Sequence, residues 1–187
     1  GTTVLARISS GGERRRVIDW PNVPPILADA VTAVEDKTFW ANTGIDRLGI
    51  ASAALDTLTG DARGGSTLTQ QLVRQKLLPN DVMGESTRLG DRKIKELIQS
   101  VRVTDAYRGR EGKEAILTAY LNQNFYGNNS YGVQAAAKSY FGIADLDDLS
   151  LAQAATLAAI PQAPSTYDLV RNAVEVAAYV LVAGMWV

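Results

Sequence analysis

Apolar side chains recur at helical spacing along most of this chain, and this periodicity restricts the fold more than any other feature of the sequence. The clearest stripe follows the i, i+3, i+4, i+7 pattern and predicts a helix that buries it. It consists of Ile94, Leu97, Ile98 and Val101. No alternation typical of strands continues beyond about residue 23, and no repeat of fixed length occurs. The sequence therefore predicts a mainly α fold and argues against a sheet-based nucleotide-binding domain.

Turn and capping residues divide the chain into predicted segments. Residues 1–23 are expected to form an extended, strand-like lead-in, and the prolines at 24–25 open a first helix that Gly44 ends. The further predicted helices cover about residues 48–58, 66–77, 94–101, 111–122, 131–141 and 150–160. The two predicted capping boxes pair Thr67 with Gln70 and Ser150 with Gln153. Residues 176–187 are apolar but fall short of the roughly 20 residues that a membrane span needs, so they predict a final core helix.

Composition limits the chemistry that the chain can perform. With 187 residues, 46% hydrophobic and 21% charged, the chain is expected to form an ordinary globular protein of one domain, or of a domain plus a small lobe. Its net charge of -1 gives no field that would recruit nucleic acid. The absence of cysteine excludes disulfides and thiol nucleophiles, and the absence of histidine removes the commonest general base. Proton transfer near neutral pH is therefore expected to fall to carboxylates with a raised pKa or, less often, to Lys or Tyr.

A pair of acidic residues, Glu35 and Asp36, follows the first apolar series and lies close in sequence to Phe39 and Trp40. An acid held against aromatic and aliphatic surface loses hydration, which raises its pKa towards the range useful for a general acid or base. The alternative is a solvated helix end, which would be the better explanation for an isolated pair. Two further clusters favour the catalytic interpretation.

The first of these clusters lies on one face of a predicted helix. Arg88, Arg92 and Glu96 follow at i, i+4 and i+8, and two guanidinium groups beside a carboxylate suit a diphosphate. The alternative is an exposed helix face with ion pairs.

The second cluster is the small-residue segment 64–67 before a predicted helix, where free backbone amides attract anions. No Gly-Lys-Ser or Gly-Lys-Thr follows, so it is not a nucleotide-type phosphate loop.

Six segments of the chain resemble, in the same order, the motifs of glycosyltransferase family 51. They are EDKTFWANTGID from Glu35, GGSTLTQQLVRQ from Gly64, RKIKE from Arg92, YLNQNFYG from Tyr120, YGVQAAAKSYFG from Tyr131 and LSLAQAATLAAIPQAPSTY from Leu149. The match spans roughly residues 4–172, and six ordered motifs are far more specific than any single pattern. The chain thus resembles the peptidoglycan polymerase domain of class A penicillin-binding proteins and of stand-alone polymerases.

The resemblance implies a fold and a place in the cell. One glycosyltransferase domain would cover residues 1–187, with residues 1–24 as lead-in, a smaller membrane-facing lobe at about residues 45–85, and a lysozyme-like helical lobe formed by the remainder. The implied place is the outer face of the bacterial cytoplasmic membrane, with the membrane surface as a partner and an anchor not present in this chain. A transpeptidase domain or partner is implied too, although the chain carries no SxxK followed by SxN and no KTG.

The resemblance also implies the reaction. Lipid II is the expected substrate: the growing glycan strand, held by its diphospholipid, is the donor. The 4-hydroxyl of lipid II's N-acetylglucosamine attacks it with inversion and gives a β-1,4 linkage. No cofactor and no metal site in the protein are expected, although Mg²⁺ or Mn²⁺ can act through the substrate diphosphate.

Functional roles are implied at the positions that match the motifs. Glu35 matches the base that takes the proton from the attacking hydroxyl, and Glu96 matches the second glutamate, near the leaving diphosphate. Asp36 and Phe39 are expected to shape the site around Glu35, and Asn122 is a candidate support residue. The other matched residues belong to the donor-side segment or surround phosphate. They are Gly65, Ser66, Thr67, Gln70, Gln71, Arg74, Arg88, Arg92 and Lys93.

The chain departs from the family pattern at several positions. Asn42 stands where the family usually has His, Arg74 where it usually has Lys, and Gln75 where it usually has Asn. Arginine keeps the charge of lysine but changes the hydrogen-bond geometry, so phosphate binding is expected to persist with altered strength. Residues 173–187 are almost wholly apolar where the family usually continues with Pro and an Arg-containing helix.

Two other functions remain open on sequence alone. A lysozyme-like hydrolase or lytic enzyme would also use glutamates in a helical cleft on the same polymer. A neutral glycan does not require the basic residues Arg74, Arg88 and Arg92, whereas a diphosphate donor does, and this difference favours the transferase. A non-catalytic cell-wall scaffold is the other alternative, and the presence of both glutamates argues against it.

Overall fold

Helices form most of the chain that the structure describes, as the apolar periodicity predicts. The structure is a computed structural model, and it describes residues 14–46, 66–78, 89–162 and 164. Within these ranges the helices are α1 (Pro25–Glu35), α2 (Leu68–Lys76), α3 (Leu89–Ala106), α4 (Gly109–Gln123), α5 (Val133–Phe141) and α6 (Leu151–Ala159). In the same ranges lie the strands β1 (Arg14–Arg15) and β2 (Ser130–Tyr131) and short 3-10 turns. The predicted mainly α class is confirmed.

Several predicted segments lie outside the described residues. They are most of the lead-in at residues 1–13, the helix at residues 48–58, the loop before residue 66 and the apolar tail at residues 176–187. The smaller membrane-facing lobe at about residues 45–85 falls largely there too, so it stays a prediction. Among the helices of the described ranges, none is long and apolar enough to cross a membrane.

The chain divides into two compact units, of which the first consists of residues 1–30 and 121–187 and the second of residues 31–120. In the first unit, β1 pairs in parallel with β2, and helices α5 and α6 contact each other. Most of the buried positions of these two helices are alanines, whose small side chains permit close packing. The buried alanines are Ala135, Ala136, Ala137, Ala154, Ala155, Ala158 and Ala159.

The ends of α5 and α6 agree with the sequence signals except at one position. Gly142 ends α5 with a φ of 73°, a left-handed conformation that glycine adopts without strain, so the predicted stop is confirmed. The predicted capping box of Ser150 and Gln153 begins α6. The helix expected from Tyr131 begins two residues later, because Tyr131 pairs with β1.

In the second unit, α2 packs against α3. The predicted capping box begins α2: Thr67 Oγ1 accepts from the Gln70 amide at 3.2 Å, and Gln70 Oε1 accepts from the Thr67 amide at 3.0 Å. Because this box satisfies two amides that lack helical partners, α2 starts at a defined residue. The apolar residues that α2 buries are Leu68, Leu72 and Val73.

The first predicted helix is shorter than expected. α1 ends at Glu35, and residues 37–41 form turns instead of continuing as a helix towards Gly44. The Asp36 side chain explains this, because it accepts hydrogen bonds from the Thr38 hydroxyl at 3.1 Å and from the Asn42 amide at 3.0 Å. Local side-chain bonds of this kind compete with the backbone bonds of a helix.

The predicted burial of the apolar stripe on α3 was wrong for two of its four residues. Ile94 and Ile98 are 56% and 47% exposed, and the other two are half-buried. The buried residues of this stretch are Glu96 and Ser100, at 1% and 0% exposure. A buried carboxylate needs a polar partner, and Lys93 on the same helix supplies one. Periodicity shows that a helix has two faces, but it does not show which face packs inward.

Candidate active site

The Glu35 carboxylate lies at the end of α1 and is held by a side chain of α2. Gln71 donates from Nε2 to Glu35 Oε2 at 2.7 Å. Tyr120 on α4 donates its hydroxyl to Gln71 Oε1 at 3.3 Å, which favours this orientation of the amide. The other carboxylate oxygen, Oε1, is buried and has no hydrogen-bond partner among the described residues. Glu35 therefore has one oxygen that is fixed and one that can still accept.

Burial of the carboxylate raises the pKa of Glu35 above its ordinary value of 4.5. The Gln71 hydrogen bond opposes this rise by stabilising the charged form, and the neighbouring Asp36 charge adds to it. The raised pKa that the sequence predicts is confirmed. A carboxylate in this state is suited to take a proton near neutral pH.

Asp36 ties the end of α1 to the start of α2. Its Oδ2 accepts from the backbone amide of Leu68, the first residue of α2, at 3.1 Å. Asn42 donates to both carboxylate oxygens, at 3.0 Å each. Burial raises the pKa of Asp36, while its hydrogen bonds and the charge of Lys113 lower it. Because its oxygens are engaged by protein donors, Asp36 contributes to the architecture of the site.

Lys113 on α4 belongs to the same network, and the sequence interpretation missed it. Its Nζ donates to Asn42 Oδ1 at 2.9 Å and lies 4.7 Å from the centroid of the buried Phe39 ring. Lys113 is only 6% exposed. Burial lowers the pKa of Lys113, while the negative charge of Asp36 raises it.

The sequence does contain a signal for Lys113. The buried residues Ile116 and Leu117 follow it by three and four positions, and the buried Tyr120 follows one turn later. Side chains at these spacings share one helix face. A lysine on the apolar face of a helix indicates a buried partner, because lysine is almost never fully buried unless it is paired.

Gly44 brings the turn after α1 close to α3. Its φ is 89°, and a Cβ at this position would overlap the Ser100 carbonyl oxygen. Both the backbone conformation and the lack of space therefore require glycine here. Its amide donates to Asn42 Oδ1 at 3.0 Å, and its carbonyl accepts from Thr67 Oγ1 at 2.8 Å. The same turn thus supports Asn42 and the residue that caps α2.

A second carboxylate, Glu96 on α3, is buried with a basic partner. Lys93, one turn earlier, donates to Glu96 Oε1 and also to Ser66 Oγ, the latter at 3.0 Å. Lys93 is partly exposed, whereas Glu96 is buried. Ser66 lies just before the start of α2, so the structure brings together three predicted site residues from two segments of the chain.

The basic residues predicted to surround phosphate are only partly described. Arg74 lies on α2 and Arg92 on α3, and both are half-buried. Arg88 and the donor-side residue Gly65 lie outside the described residues. The common helix face of Arg88, Arg92 and Glu96 therefore stays a prediction.

Three further predicted site residues, Thr67, Gln70 and Asn122, make hydrogen bonds that hold the backbone in place. Thr67 and Gln70 form the capping box of α2, and Gln70 Nε2 is buried without a hydrogen-bond partner in the described part of the chain. Asn122 belongs to the first unit, where its side chain accepts from the Ile18 amide at 2.9 Å and donates to the Ile18 carbonyl at 2.8 Å. Asn122 thus fastens the lead-in, and its role as support for catalysis stays a prediction.

On this helical fold, the half-buried Glu35 has a raised pKa and the buried Glu96 is paired with Lys93, and carboxylates in such surroundings are suited to acid–base chemistry. Residues 2–183 match the family model described as transglycosylase, so the chain belongs to the transglycosylase family. The predicted class of enzyme, a peptidoglycan glycosyltransferase, is thereby confirmed.

Three relatives show the extent of the similarity. Penicillin-binding protein 1A of Rickettsia typhi is 40% identical over 165 residues, which cover 86% of this chain and 20% of that protein. Penicillin-binding protein 1A/1B of Bacillus subtilis is 35% identical over 164 residues, covering 87% and 17%. Penicillin-binding protein 1A of Streptococcus oralis is 38% identical over 160 residues, covering 84% and 24%. The chain spans about a fifth of the length of the curated relatives it matches.

Proposed function

We propose that this chain polymerises lipid II and that Glu35 is its general base. The observation that carries the proposal is the state of the carboxylate: Gln71 holds Oε2 at 2.7 Å, while Oε1 is buried and has no partner among the described residues. A base of this kind is fixed in orientation and still has a lone pair for an incoming proton. Its raised pKa suits proton transfer near neutral pH.

The proposed reaction is an inverting displacement. The 4-hydroxyl of lipid II's N-acetylglucosamine attacks the anomeric carbon of the growing strand, and its proton passes to Glu35 Oε1. As the new carbon–oxygen bond forms, the bond from that carbon to the diphosphate oxygen breaks, and the diphospholipid leaves with the electron pair. Attack from the side opposite the leaving group gives the β-1,4 linkage. Substrate binding has to bring the hydroxyl within about 3 Å of Oε1.

Ser66, Lys93 and Glu96 are proposed to receive the leaving diphosphate. Lys93 is a partly exposed cation, and its bond to Ser66 brings it next to the start of α2. An ammonium group favours the negative charge of a leaving diphosphate, and the positive end of the α2 helix dipole adds to this effect. Glu96 holds the ammonium in place. A hydrolase of neutral glycan has no use for this cation, so the cluster favours the transferase over the lysozyme-like hydrolase.

A divalent cation, Mg²⁺ or Mn²⁺, is proposed to act through the substrate diphosphate. In the described part of the chain, no group of three or more acidic side chains lies together in a way that could hold a metal ion. A cation bound in this way would take phosphate oxygens as ligands, which is the usual mode for Mg²⁺.

We place the reaction at the outer face of the cytoplasmic membrane, because each methylene of the lipid II tail that leaves the bilayer costs about 0.8 kcal/mol. The lobe at about residues 45–85 is proposed to contact the bilayer, with a lysozyme-like lobe formed by the remainder. A transpeptidase domain or partner is proposed to cross-link the strands that the chain makes. Liposome flotation tests the membrane contact, and a chain that ignores liposomes would argue against this lobe as the contact.

Product analysis tests the proposed reaction. Incubated with lipid II, the chain is expected to release one polyprenyl diphosphate for each linkage formed, and mass spectrometry is expected to show β-1,4 glycan. Preformed glycan without the diphospholipid is expected to stay intact. Cleavage of that glycan without polymer formation from lipid II would establish the hydrolase instead. If the chain reacted with neither lipid II nor the preformed glycan, the non-catalytic cell-wall scaffold would be favoured.

A further inference from the structure

Lys113 is a buried cation that the proposed mechanism does not use. Its ammonium group has three donors and no acceptor. One donor serves Asn42 Oδ1 at 2.9 Å, and the ammonium lies 4.7 Å from the centroid of the Phe39 ring, whose face attracts a cation. Because burial disfavours an ammonium, a lysine that is 6% exposed needs compensation from its surroundings.

Asn42 links Lys113 to Asp36. The side-chain oxygen of Asn42 accepts from Lys113, and its side-chain nitrogen donates to both oxygens of Asp36 at 3.0 Å each. Lysine can only donate and an ionised carboxylate can only accept, so one orientation of the carboxamide satisfies both. The Gly44 amide donates to the same Asn42 oxygen at 3.0 Å and reinforces this orientation.

Asp36 in turn fixes the start of α2. The first amides of a helix have no partner within it, and the Leu68 amide finds one in Asp36 Oδ2 at 3.1 Å. Gln71 follows in the first turn of α2, where its Nε2 donates to Glu35 Oε2 at 2.7 Å. A shift at the helix start therefore moves Gln71 relative to Glu35.

We propose that Lys113 is a positioning residue for Glu35. It orients the Asn42 amide, and this amide holds the Asp36 carboxylate against the start of α2. The anchored helix keeps Gln71 in contact with Glu35. The inference rests on the proposed function of Glu35 as general base, and it assigns to α4 a role in setting the geometry of that base.

Amide hydrogen exchange at Leu68, measured by NMR on the full chain, tests the structural half of the inference. In Lys113→Met, which keeps much of the side-chain length and loses the charge and the donors, exchange at Leu68 is expected to rise at least about 10-fold. The control Lys138→Met removes an exposed lysine of α5 and is expected to leave this exchange within about 2-fold. If Lys113→Met does not fold, Asn42→Ala breaks the same link and takes its place.

Polymerisation kinetics test the functional half. Per folded molecule, Lys113→Met is expected to lose about 10- to 100-fold in kcat with KM within about 3-fold, because the base is misplaced while lipid II binding is retained. Lys113→Met combined with Asn42→Ala is expected to lose no more than the worse single variant, to within about 2-fold, because both act through one link. A role in packing alone would lower the folded fraction and leave kcat per folded molecule unchanged.

The positioning role and the proposed function fail in different ways. Unchanged Leu68 exchange in Lys113→Met, or losses in kcat that multiply in the double variant, would overturn the positioning role and leave the role of Glu35 standing. Unchanged turnover in Glu35→Gln would overturn both. Both would be supported by raised Leu68 exchange and reduced kcat in Lys113→Met, provided that the losses in the double variant do not multiply and that Glu35→Gln is inactive.

Discussion

Gln71 donates a 2.7 Å hydrogen bond to Glu35 Oε2 and thereby joins the first turn of α2 to the end of α1. This bond favours the charged form of the acid, so it lowers the pKa of Glu35 against the rise caused by burial and by the Asp36 charge. The same side chain therefore orients the carboxylate and limits how far its pKa rises.

The variant Gln71→Leu removes this donor and is expected to raise the pKa of Glu35 further. Because a general base acts when deprotonated, the acid side of the kcat–pH profile is expected to move to higher pH, with a loss of about 10-fold at pH 6. Steady-state kinetics between pH 5 and pH 9 measure the shift. An acid limb that stays in place, or moves to lower pH, would speak against Glu35 as the titrating group.

The raised pKa of Glu35 predicts that this carboxylate reduces stability near neutral pH. Well below 4.5, its ordinary value, the group is protonated in the folded and unfolded chains alike. As the pH rises above that value, the unfolded chain releases its proton first, and stability falls until the folded carboxyl also ionises.

The glutamine side chain of Glu35→Gln is neutral at every pH, so this variant avoids the cost of burying a charge. Its Tm is therefore expected to exceed that of the unmutated chain by about 2 to 4 °C at pH 7.5 and by little at pH 4. Calorimetry at both pH values measures the difference. A Tm difference that is the same at the two pH values would show that desolvation of this carboxylate is not its source.

Substitutions at Lys93 and Glu96 are expected to affect the stability and the activity of the chain differently. Lys93→Met leaves the buried Glu96 carboxylate without its basic partner, which is expected to cost about 1 to 3 kcal/mol in the free energy of unfolding and to reduce turnover about 10-fold or more. Adding Glu96→Gln is expected to restore stability but not turnover, because the cation proposed for the diphosphate is still missing. Thermal unfolding and polymerisation assays measure the two effects, and recovery of both would assign Lys93 to charge balance alone.

Local signals in the sequence predicted the parts of the site that depend on neighbouring residues. The capping box of Thr67 and Gln70 was predicted correctly because its two bonds lie within four residues and need no tertiary information. The raised pKa of Glu35 was predicted from its apolar surroundings, and burial is its largest cause.

Tertiary packing decides the features that the sequence did not predict. Ile94 and Ile98 were expected inside, but the face of α3 that packs inward carries Glu96. The partner of Lys113 could not be identified from the sequence, because Asn42 lies 71 residues away in the chain. No periodicity or motif spacing connects two residues so far apart, so the contact becomes visible only in the fold.

Asn42 cannot titrate, and this predicts that a histidine at the same position would make the link to Asp36 depend on pH. A neutral histidine can donate to Asp36 and accept from Lys113 as Asn42 does, but a protonated one cannot accept. At pH 8, the activity of Asn42→His is therefore expected to lie within about 3-fold of that of the unmutated chain. Between pH 8 and pH 5.5, the variant is expected to lose about 10-fold more activity than the unmutated chain does. Parallel activity profiles of the two proteins over this range would contradict the link through position 42.

Turnover of lipid II by Glu35→Gln tests the role of Glu35 most directly. Gln has nearly the shape of Glu but cannot take the proton, so kcat is expected to fall by at least about 100-fold, with KM within about 3-fold and Tm no lower than in the unmutated chain. The control Glu111→Gln changes an exposed glutamate of α4 and is expected to keep full turnover. Turnover by Glu35→Gln within about 3-fold of the unmutated chain would contradict the assignment of Glu35 as the general base.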